Sequence, residues 1–477
     1  MKRRQLLQLA GLGTAGLLLP RPGAAQTEPR NPNIVLIVAD DLGYCDTDLY
    51  GCDRIPTPNI RSIAEKGVLF TDGYVTNPVC GPSRASLLTG RYQQRFGFEY
   101  NTGPLRRDFT DGLGLPLDET TLADELKKAG YTTGMVGKWH LGTRPKFHPI
   151  RRGFDEFFGF PFGGSMYIDP NRPDVRNYLR KGKTSMPGWR GRGRLNPIMR
   201  GTKVVEEEEY LTDAFTREAV AFIENHHDEP FFLYVPYNAP HTPLQATLKY
   251  YDRFPLIEDE RERIYAAMVS ALDDGVGEIL GKIQQHSLEK DTMVIFLSDN
   301  GCALYTKACS NLPLRLGKMA QFEGGVRVPF AMMWPGQIPA KKIYTHPVSA
   351  LDIFPTAIAA AGGKMPAQRP RDGADLLPYL NGRKISAPHQ SLFWRNGPNW
   401  AVRSGHWKLF AAGGHYWLFD LSEDVGEMTN KAEKYADVRE RLAAAFKTWN
   451  AQLKEPLWPP RSRVPASVDG VFFKWHV

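Results

Sequence analysis

Asn33-Ile34-Val35-Leu36-Ile37-Val38-Ala39-Asp40-Asp41 sets an unbroken apolar run against two adjacent carboxylates. A run with no polar alternation suits a strand covered on both faces, which is the situation inside a mostly parallel sheet. Open α/β sheets gather their chemistry at the carboxyl ends of such strands. Two neighbouring carboxylates repel each other unless a cation lies between them, so Asp40 and Asp41 make poor plain structure and good metal ligands. By itself such a pair is ambiguous, and the rest of the chain has to decide it.

The same arrangement, a buried strand ending in reactive side chains, recurs three times. Tyr131 to Val136 leads into Gly137-Lys138-Trp139-His140, and Phe231 to Val235 leads into a loop where His241 is pinned between Pro240 and Pro243. Met293 to Ser298 leads into Asp299-Asn300-Gly301, which alone is a turn signal but here adds two hard oxygen ligands at a strand end. Helical patterns separate these strands: Pro58 to Gly67 with Asn59 as its cap, Leu117 to Gly130, Tyr210 to Asn225, and Arg261 to Glu289. The alternation predicts an α/β fold, a large mixed, mostly parallel sheet sandwiched by helices. Short alternating strands over Val402 to Phe410 and Tyr416 to Leu421, with a helix over Ala432 to Leu453, predict a smaller C-terminal α+β subdomain. The expected division is residues 1–25, 31–380 and 386–477. A chain of 477 residues is also longer than one core serves.

Pro78-Val79-Cys80-Gly81-Pro82-Ser83-Arg84-Ala85-Ser86-Leu87-Leu88-Thr89-Gly90-Arg91 supplies a nucleophile for these strand ends. Pro82 suits the first position of a helix that Gly90 stops, placing Cys80 just before its N-terminus, where backbone N–H groups and Arg84 favour an anion. Together the residues give an oxygen cluster (Asp40, Asp41, Asp299, Asn300), three cations (Arg84, Lys138, Lys318) and two histidines (His140, His241). Oxygen-only ligation points to calcium or magnesium and not zinc.

The string C-x-P-S-R followed by L-T-G-R resembles the signature of the type I, formylglycine-dependent sulfatases of the alkaline phosphatase superfamily. The resemblance runs from Asn33 to about Leu421 in the expected order. It implies an alkaline-phosphatase-like fold and a sulfuric ester hydrolase whose Cys80 is oxidised to formylglycine by a formylglycine-generating maturation enzyme. It further implies one calcium ion per chain, held by Asp40, Asp41, Asp299, Asn300 and the Cys80-derived group. In that scheme one oxygen of the aldehyde hydrate attacks sulfur, His241 and Lys318 assist the departing alcohol, and His140 helps deprotonate the second hydroxyl to expel sulfate. Lys138 matches the family's G-K-W-H segment. The segments around Gly97-Phe98-Glu99 and Gly153 to Phe160 look like those of bacterial sulfatases acting on sulfated polysaccharides. Two alternatives stand beside this reading. A phosphonate monoester or phosphodiester hydrolase of the same superfamily shares the metal cluster, whereas a non-catalytic saccharide-binding relative would have lost positions that are all present here.

Hydrophobic and charged fractions of 42% and 23% exclude a disordered or membrane-embedded chain. Residues 1–25 combine Lys2, Arg3 and Arg4, an apolar Leu6 to Leu19 run and Gly23-Ala24-Ala25, which predicts an export signal too short and glycine-rich for a stable membrane span. Arg3-Arg4 before Leu6-Leu7 resembles a twin-arginine signal, beside which the ordinary secretory route stands equally open, and the expected destination is the bacterial periplasm. These residues carry four of the 60 basic side chains and no acid, so the formal charge of the remainder is +4 instead of +8. That is too mild for a nucleic-acid partner. Cys45, Cys52, Cys302 and Cys309 permit two disulfides or four thiols. The stretch 162–203 holds ten Lys or Arg, including Arg190, Arg192 and Arg194, against Asp169 and Asp174, and would suit an anionic saccharide if it borders a cleft. Trp394, Arg395 and Trp400 are candidate sugar contacts.

Overall fold

The computed structural model describes residues 31–103, 105–178, 196–367 and 369–477. The segment expected to be an export signal and the basic residues Arg190, Arg192 and Arg194 lie outside them. Strands in chain order are β1 (Asn33–Ala39), β2 (Val68–Phe70), β3 (Thr132–Lys138), β4 (Glu156–Phe160), β5 (Met199–Arg200), β6 (Lys203–Val204), β7 (Phe231–Pro236), β8 (Thr292–Ser298), β9 (Phe330–Met333) and β10 (Lys342–Tyr344). They form one ten-stranded sheet in the order β10-β2-β9-β8-β1-β7-β3-β4-β5-β6. The centre, β8-β1-β7-β3-β4, is parallel throughout.

Burial on both faces explains the unbroken apolar run. Ile34, Leu36 and Val38 join one core and Val35, Ile37 and Ala39 the other, all inaccessible to solvent. The main helices are α1 (Pro58–Glu65), α2 (Cys80–Thr89), α3 (Leu122–Lys128), α4 (Leu211–His226), α5 (Glu260–Gln285) and α6 (Ile353–Ala360). α4 and α5 cover the second core, and α2, α3 and α6 the first.

Three local expectations need correction. α1 starts at Pro58 after Thr57, while Asn59 instead turns its side chain to Asp273 of α5, 2.9 Å away. α3 is shorter than the pattern suggests because Thr121 and Asp124 close a capping box that fixes its start. α2 begins at Cys80 itself, with Val79 as cap, so Pro82 sits third in the helix. A missing N–H there costs nothing, since the first-turn amides have no intrahelical partner.

Beyond residue 390, β11 (Leu392–Asn396), β12 (Asn399–Ser404), β13 (Trp407–Ala412) and β14 (His415–Asp420) make an antiparallel sheet. Helix α7 (Ala436–Asn450) and the hairpin β15 (Arg463–Val468) and β16 (Val471–His476) complete the subdomain. One sheet face, with Ala401, Phe410, Trp417 and Phe419, joins the first core of the main sheet; the other packs Val402, Leu409 and Leu418 on Leu442, Phe446 and Trp449 of α7. Among the described residues no helix is long and apolar enough to cross a membrane.

Candidate functional site

Strand register builds the site. Ala39 of β1 pairs level with Ser298 of β8, so both strands end together and Asp40-Asp41 emerges beside Asp299-Asn300. The junction is tied by Asp299 N–H donating to the Ala39 carbonyl (3.0 Å) and Asp41 N–H donating to Asp299 Oδ1 (3.2 Å). On the other flank Asp40 N–H donates to the Ala239 carbonyl beyond β7 (3.0 Å), which brings the His241 loop alongside. Lys138 closes β3, one strand further on.

Two side chains are aimed by unusual backbone. Asp41 (φ 65°) and His140 (φ 61°) both occupy the left-handed region, which residues with a Cβ enter only when their surroundings enforce it. For His140 the enforcement includes Gly163: a Cβ there would lie 2.5 Å from the imidazole Nε2, so only glycine admits the ring.

Cys80, Asp40, Asp41 and His241 present ligand atoms all within 4.8 Å of one another. The Cys80 thiol lies 3.4 Å from Asp40 Oδ1 and 3.9 Å from Asp41 Oδ1, and Lys318 Nζ lies 3.2 Å from its sulfur. Lys318 also donates to both Asp41 oxygens at 2.7 Å, and Lys138 Nζ donates to Asp40 Oδ2 at 2.5 Å. Arg84, one turn into α2 and fully buried, donates to Asp299 through Nε (2.8 Å), and its Nη2 lies 2.7 Å from the same carboxylate. Its Nη1 donates to the Lys138 carbonyl at 3.2 Å. Asn300 Nδ2 donates to Asp41 Oδ1 at 2.7 Å. His241 fixes its ring through Nδ1, 2.6 Å from the Thr242 carbonyl, which leaves Nε2 3.7 Å from Asp41. Nine of the ten candidate residues thus touch in one cluster, and His140 lies within the field of Lys138, Arg84, Asp40 and Lys318.

Charge and burial set their protonation. Burial raises Asp40, but Lys138, His241, Arg84 and Lys318 outweigh it and hold the carboxyl far below the usual range. Asp299 goes the other way, pushed up to about 6 by burial and by Asp40. Burial lowers Lys318 but Asp41 reverses this, holding the ammonium well above its ordinary value. Burial, with Lys138 and Arg84, keeps His140 well below its ordinary value, and burial holds His241 near 4. At neutral pH Lys318 is therefore a cation and both imidazoles are bases. Burial and Asp299 raise the Cys80 thiol, so the unmodified side chain is a poor nucleophile.

The donor set fits a hard cation. Three carboxylates meet in a buried space, and Asn300 Oδ1 is buried with no hydrogen-bond donor among the described residues. An orphaned carbonyl oxygen beside mutually repelling carboxylates is what an oxygen-ligated divalent ion satisfies.

Sequence reasoning missed several supports. Asn101 Oδ1 accepts from Gly81 N–H at 2.8 Å, fixing the first turn that carries Cys80, and the Phe162 ring meets His140 edge-on. Neither stands out by type or spacing. The cysteines pair as Cys45–Cys52 and Cys302–Cys309, leaving Cys80 free. Two of the three candidate sugar contacts are spent inside the fold, while Trp400 stays half-buried and lines an open pocket. Trp394 is buried with its indole N–H on the Val75 carbonyl (2.7 Å), Arg395 is spent on Glu99, and Trp400 stacks on Phe446.

Comparison with known proteins agrees with this geometry. The family model described as Sulfatase matches residues 32–363. N-acetylgalactosamine-6-sulfatase of Mus musculus is 39% identical over 432 residues, covering 87% of this chain and 76% of that protein. The crystal structure of Ps i-CgsB in complex with k-i-k-neocarrahexaose is 36% identical with a TM-score of 0.80, covering 90% of this chain and 95% of that one. The phosphonate monoester hydrolase of Agrobacterium radiobacter, at 20% identity and a TM-score of 0.64, shares the fold.

Proposed function

The chain belongs to the sulfatase family, and from that premise we propose that it hydrolyses a sulfate ester on a sulfated carbohydrate, using formylglycine made from Cys80 and one calcium ion. The observation that carries this reading is the convergence of Cys80, Lys318 and Asp41 with an unsatisfied Asn300 oxygen in one buried cluster. The saccharide class rests on relatives named for N-acetylgalactosamine 6-sulfate and solved with a neocarrahexaose.

Asp40, Asp41, Asp299 and Asn300 would hold calcium, whose charge favours sulfate oxygens and the hydrated aldehyde. Oxidation of Cys80 supplies that aldehyde, whose hydrate provides the attacking oxygen; the thiol sulfur stands in for one of its hydroxyls. The remaining work falls to the chain's own groups. Lys318, held cationic by Asp41, donates a proton or hydrogen bond to the departing alcohol oxygen. His241, its ring fixed by Nδ1–H on the Thr242 carbonyl, would assist the same leaving group only after Nε2 has taken up a proton, which it then gives to the alcohol oxygen. His140, kept neutral by burial, is a ready base for the second hydroxyl, whose deprotonation expels sulfate. Arg84 and Lys138 hold Asp299 and Asp40 in place and add positive charge opposite the anion.

The deciding experiment is the mass of the Cys80 peptide from protein made in a host that matures sulfatases, paired with assays of sulfate and phosphate release. Conversion to aldehyde with release of sulfate from a sulfated galactan is the expected outcome. An unmodified Cys80 in a host shown to mature another sulfatase would remove the nucleophile, and phosphate ester turnover exceeding sulfate turnover would move the chain to the phosphonate and phosphodiester reading. Residues 1–25 act in this scheme as an export signal to the bacterial periplasm, tested by the N-terminal mass of the exported protein; retention of Met1 there would refute it.

A further inference from the structure

The loop that follows Asp299-Asn300 carries an aromatic side chain the chemistry above does not use. Cys302 and Cys309 are disulfide-bonded, and between them Leu304–Thr306 forms a single 3-10 turn. The loop is tied down on every side. The Cys302 carbonyl accepts from Lys318 N–H (2.9 Å) and Cys302 N–H donates to Asn311 Oδ1 (3.1 Å). The Ala308 carbonyl accepts from Arg54 (3.1 Å), and Ser310 N–H donates to Asp46 (2.9 Å). Leu304 rests on Gly317, beside Lys318, with its Cγ 3.2 Å from where a Cβ would be.

At the tip of this anchored loop Tyr305 leaves 58% of its surface exposed, and Leu304 41%. No aromatic ring packs on Tyr305 among the described residues, whereas Tyr44 is stacked on Tyr50 and Trp400 on Phe446. Tyr305 neighbours the Thr242 side chain, next to His241, and lies in the field of Lys318, Asp41 and Cys80. A largely exposed aromatic ring is thus carried on an anchored loop that directly follows Asp299-Asn300 and rests on the Lys318 segment, at the edge of the nucleophile's site. Rigid presentation of a solvated apolar face costs stability and cuts the ordering cost of a ligand that covers it.

We propose that Tyr305 is a specificity-determining residue: its open ring face is the platform on which the sugar ring adjoining the scissile sulfate ester packs. The inference rests on the saccharide reading above and adds to it the residue that recognises the sugar. A pyranose offers an apolar C–H face that matches a flat aromatic surface, while its sulfate reaches past the ring edge to Lys318 and Cys80. Binding of this kind is made equally in ground and transition state, so its loss appears in KM and not in kcat.

The test uses the matured full-length enzyme, Tyr305→Ala and Tyr305→Phe, with sulfated galactose oligosaccharides and N-acetylgalactosamine 6-sulfate as substrates and inorganic sulfate as inhibitor. Tyr305→Ala is expected to raise KM on the saccharide that wild type hydrolyses about tenfold, with kcat within about twofold, and Tyr305→Phe to stay near wild type. Inhibition by inorganic sulfate, which needs only the ester site, reports that the Ala variant still forms that site. An unchanged KM in Tyr305→Ala overturns the platform. So does a loss of sulfate inhibition in step with KM, which would make Tyr305 a support of the ester site. If wild type releases sulfate from none of the saccharides, the saccharide reading falls and takes the platform with it.

Discussion

Two buried clusters in this molecule contain the same charges and differ in what they leave over. At the strand ends, Asp40, Asp41 and Asp299 meet Arg84, Lys138 and Lys318. Where the C-terminal sheet joins the main one, Asp72, Glu323 and Glu427 meet Arg327, Arg403 and Lys408. In both clusters every carboxylate faces a cation, and in the second Glu427 Oε1 meets only the Lys408 ammonium. Lys408 bridges Glu323 (2.8 Å) and Glu427 (3.0 Å), Arg327 and Arg403 share Asp72, and the Tyr74 hydroxyl donates to Glu323 at 2.6 Å. The first leaves Asn300 Oδ1 and His140 Nδ1 buried and unmet and surrounds a thiol. Equal charge counts therefore serve different ends: the second cluster joins two sheets, and in the first an unmet amide oxygen beside a free thiol marks the site proposed for a cation and an anionic substrate.

Removing one ammonium from each cluster is the sharpest way to break this contrast. Lys318→Met should lower kcat about 10²–10⁴-fold, the range for losing a proton donor, while in the calcium-loaded protein, where the ion would still face Asp41, stability falls by less than in Lys408→Met. Comparable loss of stability would make the site a structural cluster after all. Lys408→Met should do the reverse, costing about 3–5 kcal/mol in urea unfolding because Glu323 and Glu427 are left buried without their cation. A cost under about 1 kcal/mol would deny the second cluster its structural role. Next in size, Asn300→Ala is expected to weaken calcium about 10–100-fold, read by isothermal titration of the chelator-treated protein. Undiminished affinity would place the ion elsewhere.

The smallest effect is one of pH. Burial, with Glu323 beside it, pushes Glu427 up to about 7, above its ordinary value. The folded chain therefore keeps a proton that the unfolded chain releases near 4.5, and stability from this group falls as pH rises from about 4.5 to 7. Glu427→Gln fixes the side chain in its neutral form. Its melting temperature should match wild type at pH 5 and exceed it by roughly 1–2 °C at pH 8. A difference that stays constant with pH would show that Glu427 does not carry that proton.

Much of this was legible in the chain. Ile34 to Ala39 admits no polar face, so its burial on both sides follows from composition, and the residue types at each strand end carry their chemistry wherever the chain takes them. The Cys80 string sufficed for the family because its residues are contiguous. The supports were not legible. Asn101, Gly163 and Tyr305 have ordinary types at ordinary spacings, and Trp394 looks as suited to a sugar as to a core until Val75 is seen to take its N–H.

Sequence alone thus determined the strands, the family and which side chains gather at the strand ends, since periodicity and functional-group chemistry are local properties. Only tertiary structure decided that β1 and β8 end level, that Asp41 and His140 take the left-handed backbone, and that of two 3:3 charge clusters one encloses the free thiol. Those outcomes depend on register and on partners hundreds of residues away, where pairing and packing energies act and no local pattern records them.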